Sequence, residues 1–170
     1  MPLRSGPQIK LMVCAEIEVG EELPELDIAS NEEMQGRYML AVGDENPWYY
    51  TSSPWVDPIT HHSLYDDAPM EATMLRYQYP FGFVHAKQET EFINPLPLGK
   101  PAKAYTKIVD KYEKRGKVYI VTESLIKDED GVEIMRSRFH AMIEDERVKE
   151  ASRFGIDHVP PSITFKYRRK

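Results

Sequence analysis

Three strand-like stretches follow one another with only tight turns between them, and this succession restricts the possible folds more than any other feature of the chain. Ala102 to Tyr112, Lys117 to Lys127 and Val132 to Ile143 are each about eleven residues, or on the order of 35 Å when extended. The connections, Glu113-Lys114-Arg115-Gly116 and Asp128 to Gly131, are too short for a crossover, so the strands run antiparallel. In the third strand Met135, Ser137, Phe139, Ala141 and Ile143 alternate onto one apolar face. Strands this long curve, and a curved sheet with an apolar face needs something to wrap. Asp67 and Ala68 before Pro69 announce the helix that fills this role, because proline is favoured where its missing N–H costs nothing. Met70, Met74 and Tyr77 give that helix an apolar face, and Pro80 with Gly82 ends it. The expected class is α+β, a long curved antiparallel sheet wrapped around a central helix.

The remaining elements are arranged around this centre. Ile9 to Gly20 reads as a strand or extended arm. Ser30 and Glu33 have capping-box spacing, and Met34, Tyr38, Ala41 and Val42 then recur with helical period until Gly43. Asp44 to Asp67, punctuated by Pro47, Pro54 and Pro58, is a long loop, and loops of that length in compact domains are often functional. His85 to Ile93 is strand-like, and Ser162 to Tyr167 is a candidate final strand before a basic tail. No repeat or linker divides residues 1–170, so a single domain is expected.

Composition excludes several functions. A chain of 170 residues buries roughly 70% of its unfolded surface and needs no staple to fold. Its 22 Lys and Arg against 28 Asp and Glu give a net charge of -6, which argues against a nucleic-acid partner. The lone Cys14 can close no intrachain disulfide, which suits a reducing, cytoplasmic setting. No stretch resembles a signal peptide or approaches the roughly 20 apolar residues of a membrane span.

Particular runs then resemble a family. Ala41-Val42-Gly43-Asp44-Glu45-Asn46-Pro47-Trp48-Tyr49, Ala68-Pro69-Met70 and Val84-His85-Ala86-Lys87-Gln88-Glu89-Thr90-Glu91-Phe92 are similar to the MaoC-like hydratases and dehydratases, particularly their N-terminal dehydratase-type domain. Val109 to Lys117, Val121-Thr122 and Asp130-Gly131 extend the likeness, which covers about residues 8–145 and leaves 146–170 as a C-terminal extension. The resemblance implies the hot dog fold and action on acyl thioesters of coenzyme A or acyl carrier protein, without a cofactor or metal. It also implies a homodimer, or a heterodimer with a second hot dog subunit. Active members carry the pattern Asp-x-Asn-Pro-x-His, whose Asp and His flank the water that adds to the double bond. Backbone N–H groups at the start of the central helix stabilise the enolate oxygen.

Asp44, Asn46 and Pro47 match that pattern, whereas Tyr49 stands in the histidine position. A phenol with a reference pKa near 10 is a poor base at neutral pH, so the dyad lacks its imidazole. Ala68-Pro69-Met70-Glu71 likewise replaces the family's Ala-His-Gly. Two explanations are open: a partner hot dog subunit supplies the intact dyad, or Asp44 works with His85 while Tyr49 donates a hydrogen bond. Asn46, Pro47, Trp48, Pro69 and Met70 are the expected substrate-binding positions. The bland readings are an Asx turn for Asp44, a packed aromatic loop for Tyr49 with Trp48 and Trp55, and a structural histidine for His85. His61 and His62 lack metal-ligand spacing, and adjacent residues diverge on a regular element, so a metal is not expected there. A non-catalytic acyl-thioester-binding or scaffold subunit and a hot dog thioesterase are the rival functions.

Overall fold

The computed structural model describes residues 9–143 except Asp57 and Phe81, so the expected strand at Ser162 to Tyr167 and the extension 146–170 lie outside the described residues. The elements in chain order are β1 (Lys10–Leu11), β2 (Leu26–Ile28), α1 (Glu32–Val42), α2 (Ala68–Arg76), β3 (Tyr77–Gln78), β4 (Val84–Phe92), β5 (Ala102–Lys114), β6 (Lys117–Asp128) and β7 (Glu133–Ile143). The five-stranded antiparallel sheet has the order β2-β5-β6-β7-β4, with the three long strands at its centre. Arg115 and Gly116 both have positive φ, 54° and 70°, which closes the β5–β6 hairpin with two residues and explains a glycine there. Register shifts at Ile108/Asp110, Ile126/Lys127 and His85/Lys87 interrupt the ladders, and such bulges bend long strands.

Helix α2 packs on β2, β5, β6 and β7 through Ala68, Pro69, Ala72 and Thr73. These small residues bring the helix close to the sheet. Beneath it, a row of hydroxyls crosses the strands in register, Thr106 opposite Ser124, Ser124 opposite Ser137 and Ser137 opposite Thr90. Ser137, expected as part of an apolar face, is therefore a fully buried polar group, and it is satisfied by Gln88 Nε2 at 3.2 Å. Apolar clusters build the core. In one, Met12, Ile17 and Tyr77 meet Ile108, Ile120 and Phe139; in another, Tyr65, Ala68 and Leu96 meet Ile126, Ile134 and Met135.

Three local expectations are corrected. Asn31, not Ser30, caps α1 by accepting from the Met34 N–H at 2.9 Å, while Ser30 Oγ accepts from the Gly99 N–H. The buried stripe of α1 is Gln35 and Met39, with Met34 and Tyr38 half-buried and Ala41 and Val42 exposed. A buried glutamine inverts the apolar pattern because the adjoining loop supplies its partners. Finally, α2 ends at Arg76, before Pro80, since Tyr77 and Gln78 are drawn into parallel pairing with β1. Tyr77 is thus a strand residue and Met74 faces outward. The arm before β2 is anchored by Lys111 Nζ, which donates to the Cys14 and Ile17 carbonyls at 3.1 and 2.9 Å.

Candidate functional site

The loop between α1 and α2 folds back on itself and concentrates the chain's acid, imidazole and phenol groups. Gly43, with φ 69°, ends α1 and turns the chain so that Asp44 leads the loop. Asp44 Oδ1 accepts from the Asn46 N–H at 2.9 Å, and Asn46 Oδ1 accepts from the Trp48 N–H at 3.1 Å, capping the short turn Pro47–Tyr49. The Asx turn uses one carboxylate oxygen. The other, Oδ2, lies 3.2 Å from Nε2 of His61, whose side chain is 7% exposed while that of Asp44 is 32% exposed.

The hydrogen bonds fix the tautomer of His61. Its Nδ1 accepts from the Ser63 N–H at 3.2 Å and so carries no proton, which leaves Nε2–H as the donor to Asp44. Three rings hold the imidazole: Tyr49 at 4.5 Å, Tyr38 at 4.8 Å and His62 stacked at 4.7 Å. The two histidines stack because the segment is an irregular turn, not the regular element on which neighbours diverge. Among the described residues no group of His, Cys, Asp and Glu could hold a metal ion.

Tyr49 occupies the expected histidine position as a packed residue, 8% exposed, beside Met39 and Ile59. Its hydroxyl lies 3.3 Å from His62 Nδ1. Burial, and secondarily the negative charge of Asp44, push the Tyr49 phenol above its ordinary pKa, so it stays protonated at neutral pH. Burial and then His61 hold His62 below the usual imidazole value, against the opposing pull of Asp66 and Asp44. Gln35 ties the loop down: its Nε2 donates to the Tyr49 carbonyl and to the Ile59 carbonyl at 3.1 Å, while its Oε1 accepts from the His61 N–H at 2.7 Å.

Asp44, Asn46, Pro47, Trp48 and Tyr49 are thus brought together. Trp48 is partly exposed and meets Trp55 edge-on at 5.2 Å. Pro69 is buried in the first turn of α2, and Met70 packs against the cluster around Met12. The first-turn N–H groups of α2 are engaged within the chain: Ala68 donates to the Tyr65 carbonyl, Met70 and Glu71 donate to that of Asp67, and Pro69 has none. His85 is not brought to Asp44. Its ring packs on Phe139 at 4.5 Å near the start of β4, whereas the loop histidines meet the other end, His62 against Phe92 at 4.6 Å. Six residues of strand lie between His85 and Phe92, roughly 20 Å. The imidazole beside Asp44 is His61, in the sequence at most a candidate metal ligand. The available signal was that His61 and His62 lie in the same long loop as Asp44.

No protein-family model and no curated protein matches the sequence. Solved structures do match the fold. R-hydratase PhaJ1 from Pseudomonas aeruginosa is 20% identical over 81% of this chain and 88% of that chain, with a TM-score of 0.66. The MaoC-like dehydratase from Rhodospirillum rubrum is 13% identical over 76% and 94%, with a TM-score of 0.61. The HadBC (3R-hydroxyacyl-ACP dehydratase) complex from Mycobacterium tuberculosis matches at 17% identity over 71% and 92%, with a TM-score of 0.59. With its five-stranded antiparallel sheet packed on α2, the chain has the hot dog fold seen in these hydratases and dehydratases.

Proposed function

We propose that the chain is a subunit of a hydro-lyase that adds water to enoyl thioesters, or removes it from 3-hydroxyacyl thioesters, carried by coenzyme A or acyl carrier protein. The observation that carries this reading is the Asp44 carboxylate, held by the Asn46 N–H on one oxygen and by buried His61 on the other, yet open to solvent. Asp44 takes a proton from water as the water oxygen bonds to the β carbon, and the π electrons pass to the thioester as an enolate. The enolate collapses by taking that proton back at the α carbon, which restores the carboxylate. Asn46, Pro47 and Trp48, which follow Asp44 in the same turn, are the substrate-binding positions in this reading.

The engaged first turn of α2 leaves oxyanion donors to come from across an interface, which supports pairing with a second hot dog subunit. The HadBC complex is a fold neighbour of that kind. The lone Cys14 suits work in the cytoplasm.

The test offers enoyl, 3-hydroxyacyl and saturated acyl thioesters to the protein alone and with any co-purifying hot dog chain. Loss of the conjugated enoyl absorbance, abolished in Asp44→Asn, is the expected result. Release of free thiol would assign a thioesterase instead, and binding without turnover in either preparation would assign an acyl-binding subunit.

A further inference from the structure

We infer that His61 is the positioning residue of the site, supplying from within the loop the imidazole that position 49 lacks. This inference rests on the hydro-lyase reading above. Three observations support it. The His61 ring centroid is 4.5 Å from that of Tyr49, so the loop returns an imidazole to within a ring's width of the tyrosine. His61 Nε2 is 3.2 Å from Asp44 Oδ2, and the Ser63 N–H on Nδ1 requires the tautomer that donates to the carboxylate. The ring is also immobilised, by Tyr38, Tyr49 and His62 around it and by its own N–H on Gln35 Oε1.

Both ring nitrogens are engaged, so His61 exchanges no proton with substrate. It acts through Asp44. With the Asn46 N–H on Oδ1 and a neutral imidazole N–H on Oδ2, the carboxylate is held in one orientation, and each oxygen keeps a lone pair for water. A carboxylate aimed in one direction is what proton abstraction from water requires. Tyr49 then has a defined task as well. It replaces the imidazole in sequence and provides the face on which the substitute imidazole rests, with its hydroxyl turned to His62.

The experiment compares His61→Phe and His61→Gln with the wild-type protein, purified with its hot dog partner where one is present. Phenylalanine keeps the ring stack and removes both nitrogens. Glutamine keeps an N–H that reaches Asp44 and an oxygen for the Ser63 N–H. The expected result for His61→Phe is a fall in kcat of about 100-fold or more with KM within about twofold, and recovery to within about tenfold of wild type in His61→Gln. Long-range proton–nitrogen spectra of the wild-type histidines should show His61 protonated on Nε2 only, a readout that holds even if the phenylalanine variant fails to fold. A proton on Nδ1, or a His61→Phe enzyme as fast as an active wild type, overturns the inference and leaves the hydro-lyase reading intact. A wild type that adds no water to any enoyl thioester, alone or paired, overturns that reading first and the inference with it.

Discussion

Gln35 shows how a single side chain governs the site. Helix α1 presents it inward at 2% exposure, where a glutamine is tolerated because both its amide hydrogens and its carbonyl oxygen have partners. It bonds the Tyr49 and Ile59 carbonyls and the His61 N–H, the two sides of the folded loop. Gln35→Leu keeps the volume and strands three backbone groups, so the expected loss of stability is about 3 kcal/mol, read by chemical denaturation. Hydration activity should fall with it, because the His61 backbone loses its anchor; an unchanged midpoint would show that the loop holds itself. The sequence presents Gln35 as a polar residue beside an apolar stripe. Its value as a tie depends on loop carbonyls 14 and 24 residues away, which no periodicity reveals.

Among the elements, the central hairpins were the most legible. Their ends fall within about two residues of the expected positions, because turn chemistry at Gly116 and Gly131 and alternation along the strands are local signals. The turn between β6 and β7 is organised by Asp128, whose Oδ1 accepts from the Asp130 and Val132 N–H groups at 3.0 and 2.9 Å. Its Oδ2 meets Lys100 Nζ at 2.7 Å. Burial raises the Asp128 pKa, but Lys100 and the two amides outweigh it and hold the carboxyl below its usual value. Asp128→Ala should lower stability by about 2 kcal/mol, and a thermal melt should register several degrees. Asp128→Asn should recover part of that loss, since its oxygen can still accept from both amides; equal losses in the two variants would place the stabilisation in the Lys100 pair alone. The helices were less legible. α1 appeared with its stripe turned by one position and α2 with its end too late, because in each case a tertiary partner, the loop or β1, overrode the local pattern.

For the whole molecule, the sheet order leaves β4 at an edge, bonded to β7 on one side and largely exposed along its nine residues. Edge strands of that length offer a row of backbone groups for pairing, and charged side chains such as Lys87, Glu89 and Glu91 blunt such an edge without covering it. Light scattering should therefore give a mass at least twice the 19.7 kDa of one chain, from two copies or from a second hot dog chain. A monomer at micromolar concentration, with β4 amides exchanging as freely as those of the loops, would remove the pairing from the proposed function. No helix among the described residues is long and apolar enough to cross a membrane.

The sequence by itself determined the antiparallel core, the helix announced by Pro69 and the loop that carries Asp44. Each is written in contacts between near neighbours: turn residues, alternation along a strand, a proline at a helix start. Tertiary structure alone decided which imidazole meets Asp44. His85 looked nearer by motif but lies roughly 20 Å along β4 from the end the loop reaches. His61 arrives because the loop folds back across α1, where Gln35 satisfies its backbone and Tyr49 and Tyr38 pack on its ring. Side-chain partners across a folded loop follow from packing and buried hydrogen-bond satisfaction, and neither has a spacing that can be read along the chain.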